Sequence, residues 1–220
     1  VLIPTDFANS GTDNVFIYTR EEWKKMELYN AIERRRTIRV YKNGATDAQL
    51  RKIILAGTKA PSARNRQPWE FIVVEDRQTV DRLADLKYRL NCKVDPDQGG
   101  KQASDARERA ALKQKRSFDN ASIVAVCNET GWERSLWLCI ENMSLSAVAE
   151  GLGSGIVLYW GEEKKEAERV LGIPEGYELT AVLKIGEPAE EGFPRDKNPS
   201  APRREEFSWL HRNRFGDRSA

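Results

Sequence analysis

The chain has 220 residues, 40% hydrophobic and 32% charged, enough for one domain with a sizeable core or two small ones. Its 36 basic and 34 acidic residues leave a formal charge of +2, which excludes a whole-molecule field for nucleic acid and confines any anion site to a local cluster. No run of about 18 apolar residues is present to span a bilayer, and VLIPTDFANSGTDNVFIYTREEW lacks the basic-then-apolar order of a signal peptide, so a soluble, cytoplasmic protein is expected.

Thr19 and Glu22 form a capping-box pattern that opens a helix through REEWKKMELYNAIERR, with Trp23, Met26, Tyr29 and Ile32 at helical spacing. RTIRVYKNG then extends to a turn at Asn43-Gly44. Thr46 with Gln49 repeats the capping pattern and starts DAQLRKIILAGTKA, whose Leu50, Ile53, Ile54 and Gly57 mark one packed face. The polar stretch APSARNRQ leads into Trp69, Phe71, Ile72, Val73 and Val74, a short apolar run that reads as a buried strand over about residues 69–75.

RQTVDRLADLKYRLN is an amphipathic helix. CKVDPDQGGKQASDARERAALKQKRSFDN begins as loop and becomes a highly charged helix with little apolar face, either solvated or a mobile lid. ASIVAVCN is a second buried strand. ERSLWLCIENMSLSAVAEGLG is apolar almost all round and reads as a central buried helix ending at Gly151 or Gly153. SGIVLYWG is a strand or extended loop, EEKKEAERVLGI a short exposed helix, YELTAVLKIGEP a third long strand, and RREEFSWLHRNRF a candidate helix.

No glycine fingerprint of a dinucleotide fold follows a strand, since GLGSG follows a helix. The order of elements predicts a single α+β domain over 1–220, with helices packed on a small mixed sheet. Residues 1–18 and about 196–220 read as arms. Their Phe16, Tyr18, Phe207 and Trp209 have reason to be aromatic if the arms dock, for instance on another subunit.

Cys92, Cys127 and Cys139 have no CxxC spacing and read as buried structural thiols. His211 is the only histidine, so metal centres built on paired histidines are excluded and catalytic chemistry calls for a bound cofactor. ERRRTIRVY gathers Arg34, Arg35, Arg36 and Arg39 around Thr37 at a helix end. That cluster suits a phosphate, and it equally suits a solvated helix terminus complementing the macrodipole. In the loop before the first buried strand, Asn65 and Gln67 carry amides able to pair with the edge of a planar heterocycle, Ser62 adds a donor, and Pro61 and Pro68 stiffen the chain. The same loop reads, blandly, as a polar connection with Trp69 in the core.

RRRTIRVY followed by APSARNRQPWEFIVV, and then by AVAEGLGSGIVLYWG, VLGIPEGYELTAVLKIGEPAE and RRE in order, resembles the nitroreductase family of FMN-dependent, dimeric oxidoreductases over about Met26 to Glu206. The resemblance implies that Arg35, Arg36, Thr37 and Arg39 hold the FMN phosphate and ribityl chain and reach the ring's N1 and O2 edge, where Arg39 would favour the reduced, anionic flavin. It implies that Pro61, Ser62, Ala63, Asn65 and Gln67 approach the flavin from the partner subunit of an intertwined homodimer. Leu158, Tyr159, Trp160 and Gly161 match the segment whose backbone amides face the ring near N5, where several members carry Glu-Gly and this chain does not. Arg203, with Arg204 as the alternative, matches a basic residue at the phosphate.

The implied reaction is ping-pong: hydride from NAD(P)H to FMN, then to a small electron-poor acceptor such as a nitroaromatic or quinone, with no catalytic residue beyond the cofactor. Reductive dehalogenation and ene reduction are same-fold alternatives, and a non-catalytic flavin sensor is a rival of another class. The insert at about 101–118 is the candidate lid, on which Arg107, Arg109, Lys113 and Arg116 would favour an anionic acceptor or nicotinamide phosphates, with Phe118 and Trp160 walling the acceptor pocket. A solvated charged helix is the plainer account of that insert.

Overall fold

Tyr177–Pro188 (β5), twelve residues long, is the strand on which the other strands assemble. It pairs antiparallel with Ser122–Glu129 (β3), with Gly153–Val157 (β4) and, at its far end, with Tyr41–Gly44 (β1). Trp69–Val74 (β2) closes the far side by pairing with β3. These pairs are all antiparallel, and the parallel contribution among the described residues is a one-residue bridge between Thr37 and Ser154. The computed structural model describes residues 28–93, 100–189, 204–205 and 208–217.

Helices Leu28–Arg34 (α1), Asp47–Gly57 (α2), Arg77–Cys92 (α3), Gly100–Arg116 (α4), Glu133–Ala149 (α5) and Gly161–Val170 (α6) complete an α+β architecture. None is long and apolar enough to cross a membrane. β3 and β5 are buried on both faces, so their sequences are continuous apolar runs whose alternate residues serve different layers. On one face Val124, Val126, Leu183 and Ile185 meet Leu50, Ile53, Leu136 and Met143 of α2 and α5. On the other, Ile123, Ala125 and Val182 meet Leu83, Leu86 and Ala167 of α3 and α6.

Local chemistry sets the helix starts. The Gln49 amide N–H donates to Thr46 Oγ1 at 3.3 Å while Gln49 Oε1 accepts from the Thr46 N–H at 3.0 Å, a complete capping box for α2. Asp76 caps α3, accepting from the Thr79 N–H at 2.7 Å.

Several expectations change. Asn43-Gly44 is strand, not turn: Asn43 and Gly44 pair with Glu187 and Gly186, and a Cβ on Gly44 would stand 2.6 Å from Ser122 Oγ, so close approach rather than a bend requires the glycine. α5 is not buried all round, because Trp137 and Leu138 face outward. Tyr29 and Ile32 of α1 are likewise exposed, with Ala31 the buried residue of that helix. Cys92 is exposed at the end of α3, whereas Cys127 and Cys139 are buried. The described part of the tail forms turns, with Asn213 at φ 56°, rather than a helix. α4 is more than a solvated rod: Ala111 is fully buried, the Tyr88 hydroxyl donates to Glu108 at 3.4 Å, and Lys115 pairs with Asp85, all toward α3. Thr19, Glu22, Trp23, Met26, Phe16, Tyr18, Phe207 and Arg203 lie outside the described residues.

Candidate functional site

α1 ends at Arg34, and the chain then runs extended along β4. The Ile38 N–H donates to Ser154 O at 2.9 Å, and Thr37 bridges Ser154. Close contact here depends on glycine: a Cβ on Gly155 would lie 2.6 Å from Ile38 O. The Tyr41 hydroxyl ties the segment down by donating toward Ile38 O (3.0 Å) and Lys184 O (3.2 Å), and burial raises its pKa. The segment is thereby fixed while Thr37 and Arg39 stay exposed. Arg35 Nε lies 3.9 Å from Glu141 of α5, and Arg36 donates to its neighbour's carbonyl at 2.6 Å. Arg39 has no carboxylate partner among the described residues.

The exit of β4 carries Leu158–Gly161 into α6. Tyr159 is buried and its hydroxyl donates to Leu83 O at 2.8 Å, so its side chain anchors the turn rather than lining a site. Leu158 and Trp160 are exposed, Trp160 by 54%. Gly161 opens α6 at φ +60°, and among the described residues no side chain caps the helix, leaving its first N–H groups available. Lys87 of α3 donates to Leu158 O at 3.1 Å with its ammonium 4.5 Å from the centre of the Trp160 ring, and burial lowers its pKa.

The polar loop before β2 stands at the opposite sheet edge from β4. Two strands separate them, about 14 Å at ordinary strand spacing. Arg64, Asn65 and Gln67 hold φ of 55°, 54° and 52°, a conformation costing roughly 1–2 kcal/mol per non-glycine residue. Three contacts hold it. Ser62 Oγ accepts from the Gln67 N–H at 3.0 Å, Arg66 donates from Nε and Nη2, one edge of its guanidinium, to the two carboxylate oxygens of Glu129, and the Arg66 guanidinium lies 5.4 Å from the centre of the Trp132 ring. The side-chain amides of Asn65 and Gln67 are exposed and make no hydrogen bond to described residues. Ala63 starts the 3-10 turn Ala63–Asn65, and Pro61 is exposed.

A cavity of about 690 Å³ opens between Arg39–Tyr41 and α4, lined also by Arg109, Leu112, Lys113 and Arg116. Arg107 stands outside its lining, and Phe118 is a buried core residue packed with β3 and α3 rather than a pocket wall. Arg204 is exposed. Thus Arg35–Arg39 and Leu158–Gly161 are joined through β4, Arg39 meets three of the α4 cations, and the Pro61–Gln67 loop is kept apart from both.

Lys87 and Lys184 escaped sequence reasoning. Lys184 Nζ is buried, bonded to Ser117 Oγ. Its pKa is lowered to about 7, first by burial and then by Arg39 and Lys87. The available signal was a lone charge inside the apolar run LTAVLKIG, and a lysine on the same α3 face as Leu83 and Leu90.

The nitroreductase family profile matches residues 32–187. An Archaeoglobus fulgidus protein provisionally named NADH dehydrogenase/NAD(P)H nitroreductase is 30% identical over 177 residues, 75% of this chain and 87% of its own length. An iodotyrosine deiodinase of Thermotoga neapolitana is 26% identical over 183 residues, 81% of this chain and 94% of its own. A crystal structure of oxidized iodotyrosine deiodinase bound to FMN and 3-iodo-L-tyrosine aligns with a TM-score of 0.66 at 25% identity, covering 81% of this chain and 96% of that one.

Proposed function

The chain belongs to the nitroreductase family, and we propose that it is an FMN-dependent oxidoreductase, homodimeric, which takes reducing equivalents from NAD(P)H and delivers them to a small electron-poor acceptor. The observation that carries this reading is the Thr37–Ser154 bridge, which draws the arginine segment onto the strand whose exit presents uncapped helix amides. Arg39, a cation without a carboxylate partner among the described residues, and helix N–H groups without a side-chain cap among them suit an anionic, hydrogen-bonding cofactor.

FMN, when bound, supplies the two-electron transfer in a ping-pong cycle. Arg35, Arg36, Thr37 and Arg39, with Arg203 or Arg204, would hold its phosphate and ribityl chain. The amides of Leu158–Gly161 would face its ring. The Pro61, Ser62, Ala63, Asn65 and Gln67 loop, too far across the sheet to serve the same site, would serve the partner's cofactor. Exposed apolar residues on α1 and α5 support a seam between two copies.

The test is spectroscopic. Protein purified with FMN is expected to be yellow, to bleach anaerobically with NADH or NADPH, and to recolour with a nitroaromatic or quinone. Arg35→Ala or Arg39→Ala should lower the FMN-to-protein ratio several-fold. Protein that takes up no added FMN, or variants with undiminished flavin, would count against the assignment. The likeness to iodotyrosine deiodinases favours a second reading, reductive dehalogenation of a halogenated aromatic. Halide release during reoxidation separates it from nitro or quinone reduction.

A further inference from the structure

Most cations of α3 face acids: Arg77 meets Asp81 and Asp119, while Arg82 and Arg89 converge on Glu166. Lys87 is different. It lies between Leu83 and Leu90 on the buried stripe of the helix, 8% exposed, with no carboxylate partner among the described residues. Its ammonium donates instead to Leu158 O at 3.1 Å and stands 4.5 Å from the centre of the Trp160 ring. One helical turn earlier, Leu83 O accepts from the Tyr159 hydroxyl at 2.8 Å. α3 therefore holds three consecutive residues beyond β4, by a carbonyl, a hydroxyl and a ring.

A leucine at position 87 would continue the apolar stripe without the penalty of burying an ammonium, so the charge calls for a reason. The Leu158–Tyr159 peptide is trans, and its carbonyl and N–H point in opposite directions. Fixing the carbonyl on Lys87 aims the Tyr159 N–H away from that ammonium, and this N–H has no acceptor among the described residues. The cation also polarises the peptide, because hydrogen bonds in a chain strengthen one another by about 10–30% per bond.

We propose that Lys87 is a positioning residue for the flavin: its ammonium fixes the Leu158–Tyr159 peptide and, through it, presents the Tyr159 N–H and a positive potential to the ring. The proposal rests on the flavin reading above and adds to it a residue outside the segments that would touch FMN. Hydride from NAD(P)H brings two electrons and one proton and leaves an oxidised nicotinamide behind. The reduced cofactor is then one negative charge richer, which a nearby fixed cation stabilises.

The test compares the flavin midpoint potential of FMN-saturated parent, Lys87→Met, Lys87→Gln and Lys87→Arg proteins, together with the backbone amide resonance of Tyr159 in the same proteins free of FMN. The Met and Gln variants each remove the charge. They should disfavour flavin reduction about ten-fold, a fall of about 30 mV for a two-electron couple, and should shift the Tyr159 resonance. Lys87→Arg, which keeps a cationic donor, should stay near the parent in both. A lysine that merely fills space would leave the potential of folded, FMN-saturated Met and Gln variants unmoved, and that result overturns the proposal. So would an equal fall in Lys87→Arg, because charge would then not be the cause. Protein that takes up no FMN defeats the flavin reading and this role with it, whereas flavin-loaded variants at the parent's potential defeat the role of Lys87 alone.

Discussion

Lys184 holds its ammonium 5.3 Å from the centre of the Phe118 ring, 1% exposed and with no carboxylate beside it among the described residues. Its pKa of about 7 compares with about 10.4 for an unfolded lysine. Between those values the unfolded chain binds a proton that the folded chain releases, so this group makes stability rise with pH, by at most about 1.4 kcal/mol per unit. Below about 7 both states hold the proton and the cost of burying the charge is fully expressed. Cys127 and Cys139, pushed up to about 12 by burial, act oppositely once pH passes the ordinary thiol value of about 8.5. Denaturant unfolding from about pH 6 to about pH 8.5 should therefore show stability increasing. Lys184→Met should be more stable than the parent at the acid end and lose that slope. A methionine variant no more stable near pH 6 would contradict burial of a charged lysine.

Gly155 is the pinch point between β4 and the arginine segment. A methyl there would stand 2.6 Å from Ile38 O, 3.1 Å from Tyr41 Oη and 3.2 Å from Lys184 Cε. The backbone oxygen cannot swing aside as a side-chain tip can. Gly155→Ala is expected to cost roughly 1–3 kcal/mol, the range for overpacking a well-filled core, and to lower flavin retention because Thr37 and Arg39 move with Ile38. A shift in denaturation midpoint together with FMN content reads both. An alanine protein unchanged in each would mean that the segment yields without consequence.

What the sequence made legible was whatever local chemistry determines. Thr46 and Gln49 cap a helix because their side chains reach each other's backbone, and the β-branched and aromatic Trp69–Val74 run folds as a strand, though at the sheet edge with Glu70 and Val73 exposed rather than buried on both faces. Asn43-Gly44 misled because its signal is shared: a turn and a close strand crossing both need a small residue, and only Ser122, 78 positions on from Gly44, decides between them. Phe118 misled for a related reason, since residue type alone does not say which side of a chain faces the core. Arg66 with Glu129, and Lys87 with Leu158, are partnerships formed only once the sheet exists.

The Arg66–Glu129 grip makes a loop-specific prediction. Both groups lie at the surface, Glu129 is held below the usual carboxylate range chiefly by its bond to Arg66, and the pair spans the base of a segment with three left-handed residues. Glu129→Gln removes the charge that holds Arg66, so the loop should relax toward ordinary backbone. Amide exchange over residues 62–67 should accelerate and FMN retention should fall, with the global unfolding midpoint little altered. Unchanged exchange in that loop would show that Ser62 and Trp132 suffice to hold it.

The outward faces of α1 and α5 supply the last prediction. Tyr29 is 80% exposed and Leu138 50%, with Leu28, Ile32 and Trp137 also exposed, and α1 packs on α5. Large apolar side chains gathered on two packed helices are costly to leave in water and commonly mark an interface. Because the Asn65 and Gln67 loop lies across the sheet from the arginine segment, pairing of two copies is also the route by which loop and arginines could share one cofactor. Leu138→Glu combined with Ile32→Glu should convert a dimer to a monomer in sedimentation experiments and release flavin in the same step. A doubly substituted protein that remains dimeric would move the seam away from these helices, and a monomer that keeps its FMN would remove the loop from the cofactor site.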